Sequence, residues 1–297
     1  MKASGFSIEI HKLSEEELVF DVRGYHVSFA NAIRRILLAE IPSMAIENVE
    51  LYNNTSVMHD EFLGLRLGLI PIKVDAKQFE FQKGQVNTEN NTIIFQLNVR
   101  NLPTAKENLH VYSRDLEWQP LGDQKETFPD GIAPVDGDIL IAKLAPSQKI
   151  EATLYCRKGI GKDHAKFSPV AGCFYRHLTT FDLAKDKPLT AEEVEKLKTC
   201  FPKGHFKFPG DSTSDYDNER VKSLQIVNNR LESSELTFKS CPSLEEKLLI
   251  TTSDDTLTFT VESIGMVPAY ELVLDAIDTL RSKCSRFQKM VSKKRRS

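Results

Sequence analysis

No Cys-x-x-Cys pair occurs in the 297-residue sequence. Its five cysteines are odd in number, and the closest two, Cys156 and Cys173, stand seventeen positions apart. A zinc knuckle, a ferredoxin-type cluster and a disulfide framework are therefore unsupported, and the thiols read as small apolar groups kept reduced. Also missing is any run of about 18 apolar residues, as a membrane-crossing helix would need. The opening "MKASGFSIEIHK" has no apolar core of the signal-peptide kind, so the expectation is an intracellular chain without membrane contact. A net charge of −3 argues against a nucleic-acid-binding surface over the whole protein. The charge is unevenly placed, because the last seventeen residues, "RSKCSRFQKMVSKKRRS", hold eight Lys or Arg and no acid.

What is present is an ordinary globular composition, 40% hydrophobic and 27% charged, in a chain long enough to bury a large core. "FSIEIHKL" sets Phe6, Ile8 and Ile10 on one face and "LVFDV" does the same for Leu18, Phe20 and Val22, which predicts a hairpin with one buried face. "VSFANAIRRILLAEIPSM" predicts a short helix capped by Ser28 and ended before Pro42. From about Glu47 to Lys166 short β-like runs alternate, with Ile93, Phe95, Leu97 and Val99 in one and Ile150, Ala152, Leu154 and Cys156 in another. Within them, "HDEFLGLRLGLIPI" reads as a turn or two of helix with Asp60 as cap and Gly68 as terminator. Thr190 and Glu193 form a capping box with Leu189 and Val194 as its staple, "FPGDSTSDYDNER" reads as a surface loop, and "TLTFTVES" as a half-buried strand. The strongest helix follows Pro268, where Ala269, Leu272, Val273, Ala276, Ile277, Leu280, Cys284 and Phe287 recur at spacings of three and four. A stripe that long has to be covered, by the fold or by another chain.

Candidate chemistry is thin. "YCRKGIGKDHAKFSPVAG" contains Gly159, Gly161 and Lys162, but Asp163 would put a negative charge where a phosphate loop needs a hydroxyl, and Pro169 argues against a following helix. His164 and Cys173 could be imagined as base and nucleophile, and His59, Asp60 and Glu61 as metal ligands; neighbours in sequence point apart, and pairs of this kind arise by chance. No catalytic residue, metal ligand or cofactor site is assigned. Arg34 and Arg35 are either solvated or contacts for a partner chain. The basic end has three readings: a nuclear localisation signal, a phosphate contact or a plain solvated tail.

Several of these stretches, in order and over nearly the whole chain, resemble the α-like subunits of cellular RNA polymerases. "NAIRRILLAEIPSMAIENVE" is similar to their first dimerisation helix and strand, "NTSVMHDEFLGLRLGLIPI" to the signature of the eukaryotic and archaeal members, and "VESIGMVPAYELVLDAIDTL" to the closing strand and helix. The absence of cysteines before Cys156, with "LHVYSRDLEWQPLGD", "DILIAKLAPSQKIEATLYC" and "GIGKDHAKFSPV", resembles the larger α-like subunit shared by polymerases I and III. The resemblance implies an α+β fold. A dimerisation domain (1–48 and 168–297), an antiparallel sheet with helices, is interrupted by an inserted β-rich domain (49–167). "GIGKDHAKFSPV" would be the exit from the insert, with glycines for its turn.

It further implies a non-catalytic platform in the nucleus and nucleolus, pairing with the smaller α-like subunit through Phe29, Ile33, Ile36, Leu37, Leu272, Val273, Ile277 and Leu280. Arg34 and Arg35 would face the second-largest catalytic subunit, small polymerase subunits would bind elsewhere, and DNA would be met only through the complex. Three alternatives stay open: the α-like subunit of another polymerase, a free-standing nucleic-acid-binding protein using the basic tail, and a cysteine hydrolase centred on Cys173 and His164.

Overall fold

In the computed structural model, residues 5–84, 86–183, 189–200, 206–207, 216–217, 220–221, 225–226, 244 and 247–294 are described. The expected loop "FPGDSTSDYDNER" and the last three residues of the basic tail lie largely or wholly outside them. The fold is α+β. Strands β1 (Ser7–Leu13) and β2 (Glu17–Arg23) precede helix α1 (Val27–Ala39), and β3 (Pro42–Asn54) precedes α2 (Asp60–Gly68). There follow β4 (Thr92–Arg100), β5 (Leu109–Tyr112), β6 (Glu117–Gln119), the short α3 (Gln124–Thr127), β7 (Leu140–Leu144), β8 (Lys149–Ile160) and β9 (Val170–Leu183). After β10 (Leu189–Thr190) and α4 (Ala191–Cys200) come β11 (Phe206–Lys207), β12 (Tyr216–Asp217), β13 (Arg220–Val221) and β14 (Gln225–Ile226). The long β15 (Leu248–Ser263) and α5 (Ala269–Lys294) complete the order.

The chain divides into two compact units, one of Met1–Glu9, Phe20–Val27 and Tyr175–Phe259, the other of Ile10–Val19, Ser28–Phe174 and Thr260–Ser297. Within the first, Phe20 stacks on Phe259 at 5.2 Å between ring centroids, and Tyr175 meets the same ring at 5.3 Å. The strands β1, β2, β15 and β9 lie in that order in one sheet. Strand β15 was expected to be half-buried, but Thr258 is buried as well as Leu257 and Phe259. The Thr258 hydroxyl donates to the buried Asp21 carboxylate at 2.7 Å, so this polar residue is buried with a polar partner, while Thr260 is half-buried and Glu262 exposed. The capping box forms as expected: the Thr190 amide donates to Glu193 Oε2 at 2.8 Å and the Glu193 amide to Thr190 Oγ1 at 3.4 Å. Lys247 pairs with Glu193 at 2.7 Å. Burial pushes the Glu193 carboxyl up, but the bonds from Lys247 and Thr190 outweigh it and hold it below the ordinary carboxylate value.

In the second unit β8 lies between β3 and β4, with β6 beyond β4. All pairings are antiparallel, running from Pro42↔Ile160 to Asn54↔Ile150 on one side of β8 and from Thr92↔Arg157 to Arg100↔Lys149 on the other. Two irregularities, between Ile46 and Asn48 and between Leu51 and Asn53, bend β3. The alternating residues Ile150, Ala152, Leu154 and Cys156 of β8 all enter the core with Ile93, Phe95 and Leu97 of β4. Helix α2 closes it with Leu63 and Leu67, and its Arg66 donates to the Leu140 and Ile141 carbonyls at 2.5 and 3.0 Å.

Four local expectations are corrected. The apolar row of β1 is not buried: Phe6, Ile8 and Ile10 are exposed while Leu18, Phe20 and Val22 of β2 are not. Helix α1 starts at Val27, which puts Ser28 inside its first turn. Asp60 is the first residue of α2 rather than its cap, because its carboxylate accepts instead from Asn54 Nδ2 at 2.7 Å; Gly68 is the last helical residue, with Leu69 as C-cap. Gly159 and Gly161 do not take left-handed turn conformations. They are needed for closeness. A Cβ on Gly161 would stand 2.2 Å from the Leu38 carbonyl oxygen, and one on Gly159 would stand 2.6 Å from the Phe167 ring.

Candidate interaction surface

Helix α1 sends Ile33, Ile36 and Leu37 into the fold, where all three are buried within this chain. Phe29, a turn earlier, is exposed. Arg34 is half-buried, with its guanidinium donating to Asn31 Oδ1 of the same helix at 2.8 and 3.2 Å, whereas Arg35 is exposed. The C-terminal end of α1 is pinned from below by the Lys162 amide, which donates to the Ala39 carbonyl at 2.9 Å. The stretch between Gly159 and Pro169 is thus a packing element beneath α1. Ser43 Oγ donates to the Phe167 carbonyl at 2.7 Å, and His164 Nδ1 accepts from the Lys166 amide at 3.1 Å.

Helix α5 begins where the Pro268 carbonyl accepts from the Glu271 and Leu272 amides, with the Ala269 amide held by the Glu15 carbonyl at 2.8 Å. Ala269, Leu272 and Ala276 form its inner stripe and are buried. Tyr270, Val273, Ile277, Leu280, Cys284, Phe287 and Val291 form a second stripe, at spacings of three and four without a break. Val273 and Leu280 are half-buried and the other five exposed. The spacing is that of an a/d seam in a left-handed coiled coil, a pattern whose knobs pack into the holes of a facing helix. From Arg281 to Lys293 every residue is exposed. A helix of that length is marginal in water without a partner.

The eight expected interface residues therefore fall into two groups. Ile33, Ile36, Leu37 and Leu272 lie inside the chain, while Phe29, Val273, Ile277 and Leu280 reach its surface. Tyr270 and Val291 were outside the expected set, as were Cys284 and Phe287 in this role, although the same three-and-four spacing signals them, Tyr270 three positions before Val273 and the others past Leu280. A further apolar surface is the outward side of α2, where Phe62, Leu65 and Leu69 are exposed.

Cys156 and Cys173 give no sign of an activated nucleophile. Burial pushes Cys173 up to about 12, against a smaller opposing effect of Arg34, and burial likewise raises Cys156. A catalytic thiolate requires the opposite shift. Among the described residues no helix is long and apolar enough to cross a membrane.

The comparison with known families points to a dimerisation module. Residues 19–284 match the RNA polymerase Rpb3/Rpb11 dimerisation domain, and the chain belongs to that family. Over 95% of its length it is 41% identical to the human DNA-directed RNA polymerases I and III subunit RPAC1, covering 83% of that protein. It is 35% identical to the subunit of the same name from Saccharomyces cerevisiae, over 94% of this chain and 85% of the other. The DNA-directed RNA polymerases II, IV and V subunit 3 of Arabidopsis thaliana is 32% identical over 93% of this chain and 88% of its own. The resemblance to the larger α-like subunit of polymerases I and III is thereby shown.

Proposed function

We propose that this chain is the non-catalytic assembly platform of RNA polymerases I and III, acting in the nucleus and nucleolus in ribosomal and small RNA synthesis. It pairs with the smaller α-like subunit and then recruits the second-largest catalytic subunit. The observation that carries the reading is the unbroken outward seam on α5, on a chain 41% identical to a subunit that takes its name from polymerases I and III. Phe29, Val273, Ile277 and Leu280 make the pair contact. Ile33, Ile36, Leu37 and Leu272 hold the two helices in place from beneath. Arg35, and Arg34 once released from Asn31, face the catalytic subunit. The discontinuous dimerisation domain (1–48 and 168–297) carries this surface, and the inserted domain (49–167) offers the α2 face to other subunits. The contiguous core between Met44 and Cys156 supports the insert as a folding module.

An affinity-tagged copy at its own locus, followed by mass spectrometry of co-purified proteins, tests the assignment. Recovery of the largest subunits of both polymerases I and III is expected. Recovery of those of polymerase II alone would move the chain to the corresponding subunit of that enzyme.

A further inference from the structure

On the other side of α5 from the seam, nearly half a turn round the helix, lies an open groove of ≈ 520 Å³. Its floor includes Ile41, Val74, Met266 and Leu272, and its volume is in the range of ligand pockets. Two ion pairs flank it and neutralise each other's charges: Lys77 with Asp275 at 2.7 Å and Lys283 with Glu40 at 2.7 Å. Beyond the second pair the groove ends at Arg286, and the same flank of the helix continues with Lys289 and Lys293. Among the described residues these three bases have no carboxylate partner, and no acid occurs in the last seventeen positions. Three like charges on one helix flank repel one another, and they are left for something else to neutralise.

We propose that the groove is a docking site for an extended peptide segment of another polypeptide, with apolar residues set on the floor and an acidic run lying along Arg286, Lys289 and Lys293. The three bases span about 10.5 Å of helix axis, which three or four residues of extended chain match. The floor selects apolar anchors, because polar groups seated there would lose water without gaining partners. The basic flank selects acids and fixes the direction of the segment. The site is separate from the seam, so α5 takes two different partners at once, a helix on one side and a strand-like segment on the other.

The test uses the full chain co-produced with the smaller α-like subunit. The probe is a fluorescein-labelled ten-residue peptide with leucines at alternate positions followed by four glutamates, titrated by anisotropy at low and moderate salt. Binding that weakens with salt is expected. Arg286→Glu, Lys289→Glu and Lys293→Glu together should reduce it roughly tenfold or more, since three exposed pairs are lost and replaced by repulsions. Replacing the leucines by serines should weaken it as well, and native mass spectrometry should show the triple variant still forming the pair. Absence of peptide binding, binding unchanged by the charge reversal, or tighter binding of a 20-base-pair DNA duplex than of the peptide would each overturn the proposal. The last result would make the flank a nucleic-acid surface.

Discussion

Ile277→Ala and Phe287→Ala separate residues that meet a partner from residues that support the fold. Ile277 is 44% exposed and Phe287 67% exposed, so that much of each remains to be covered by a second chain. Fully burying a large apolar side chain contributes about 1.5–3 kcal/mol. The uncovered fraction of Ile277 is then worth about 0.7–1.3 kcal/mol, roughly a 3- to 9-fold change in the pair's dissociation constant. For Phe287 the corresponding figures are about 1–2 kcal/mol and roughly 5- to 30-fold. The two positions are about 15 Å apart along α5, far enough for their effects to add, so the double variant should lose roughly 20- to 300-fold. Ile33→Ala works differently. Ile33 is buried in this chain, and the change should cost about 2–5 kcal/mol of fold stability instead. Dissociation constants from quantitative native mass spectrometry, with thermal unfolding as a check on folding, provide the comparison. Unchanged affinity in the double variant, with the fold intact, would refute the seam.

Three further outcomes are expected. Gly161→Ala forces a Cβ against the Leu38 carbonyl, a backbone atom that cannot swing away, and should destabilise the protein by about 1–3 kcal/mol in thermal unfolding. In alkylation at pH 8, Cys156 and Cys173 should stay unlabelled because burial keeps both thiols protonated, whereas the exposed Cys284 should be protected in the pair and react faster once Ile277→Ala and Phe287→Ala have weakened it. Glu193→Gln keeps the acceptor of the capping box but removes the charge that Lys247 meets, and should lower stability at neutral pH by up to about 1 kcal/mol. Because the folded Glu193 pKa lies below the ordinary value of 4.5, its contribution is present above that value and lost as pH falls through the folded one. Wild type and variant should therefore converge in unfolding experiments once the pH has fallen below the folded value.

Alternation and the Thr190–Glu193 capping box were legible because they are local, whereas the caps expected at Ser28 and Asp60 were not found there. The inward row of β8, the Thr190–Glu193 box and the periodicity of α5 all rest on residues a few positions apart. What lay over a face was not. The rows Phe6–Ile8–Ile10 and Leu18–Phe20–Val22 have the same pattern, yet only the second is covered. The stripe Ile33–Ile36–Leu37 is similarly silent about whether its cover comes from the same chain or another, and here it comes from the same chain. Gly161 was read as turn chemistry because glycine is common in turns. Its actual constraint is the approach of a helix end more than a hundred positions earlier in the chain, which no local pattern encodes. Thr258 is buried for the equally distant reason that Asp21 meets it.

Co-production with the smaller α-like subunit of the same organism, followed by native mass spectrometry, tests the platform reading most directly. A stable 1:1 complex is expected, with this 33.6 kDa chain aggregating when made alone because the α5 seam is left uncovered. A soluble monomer indifferent to that subunit would contradict it.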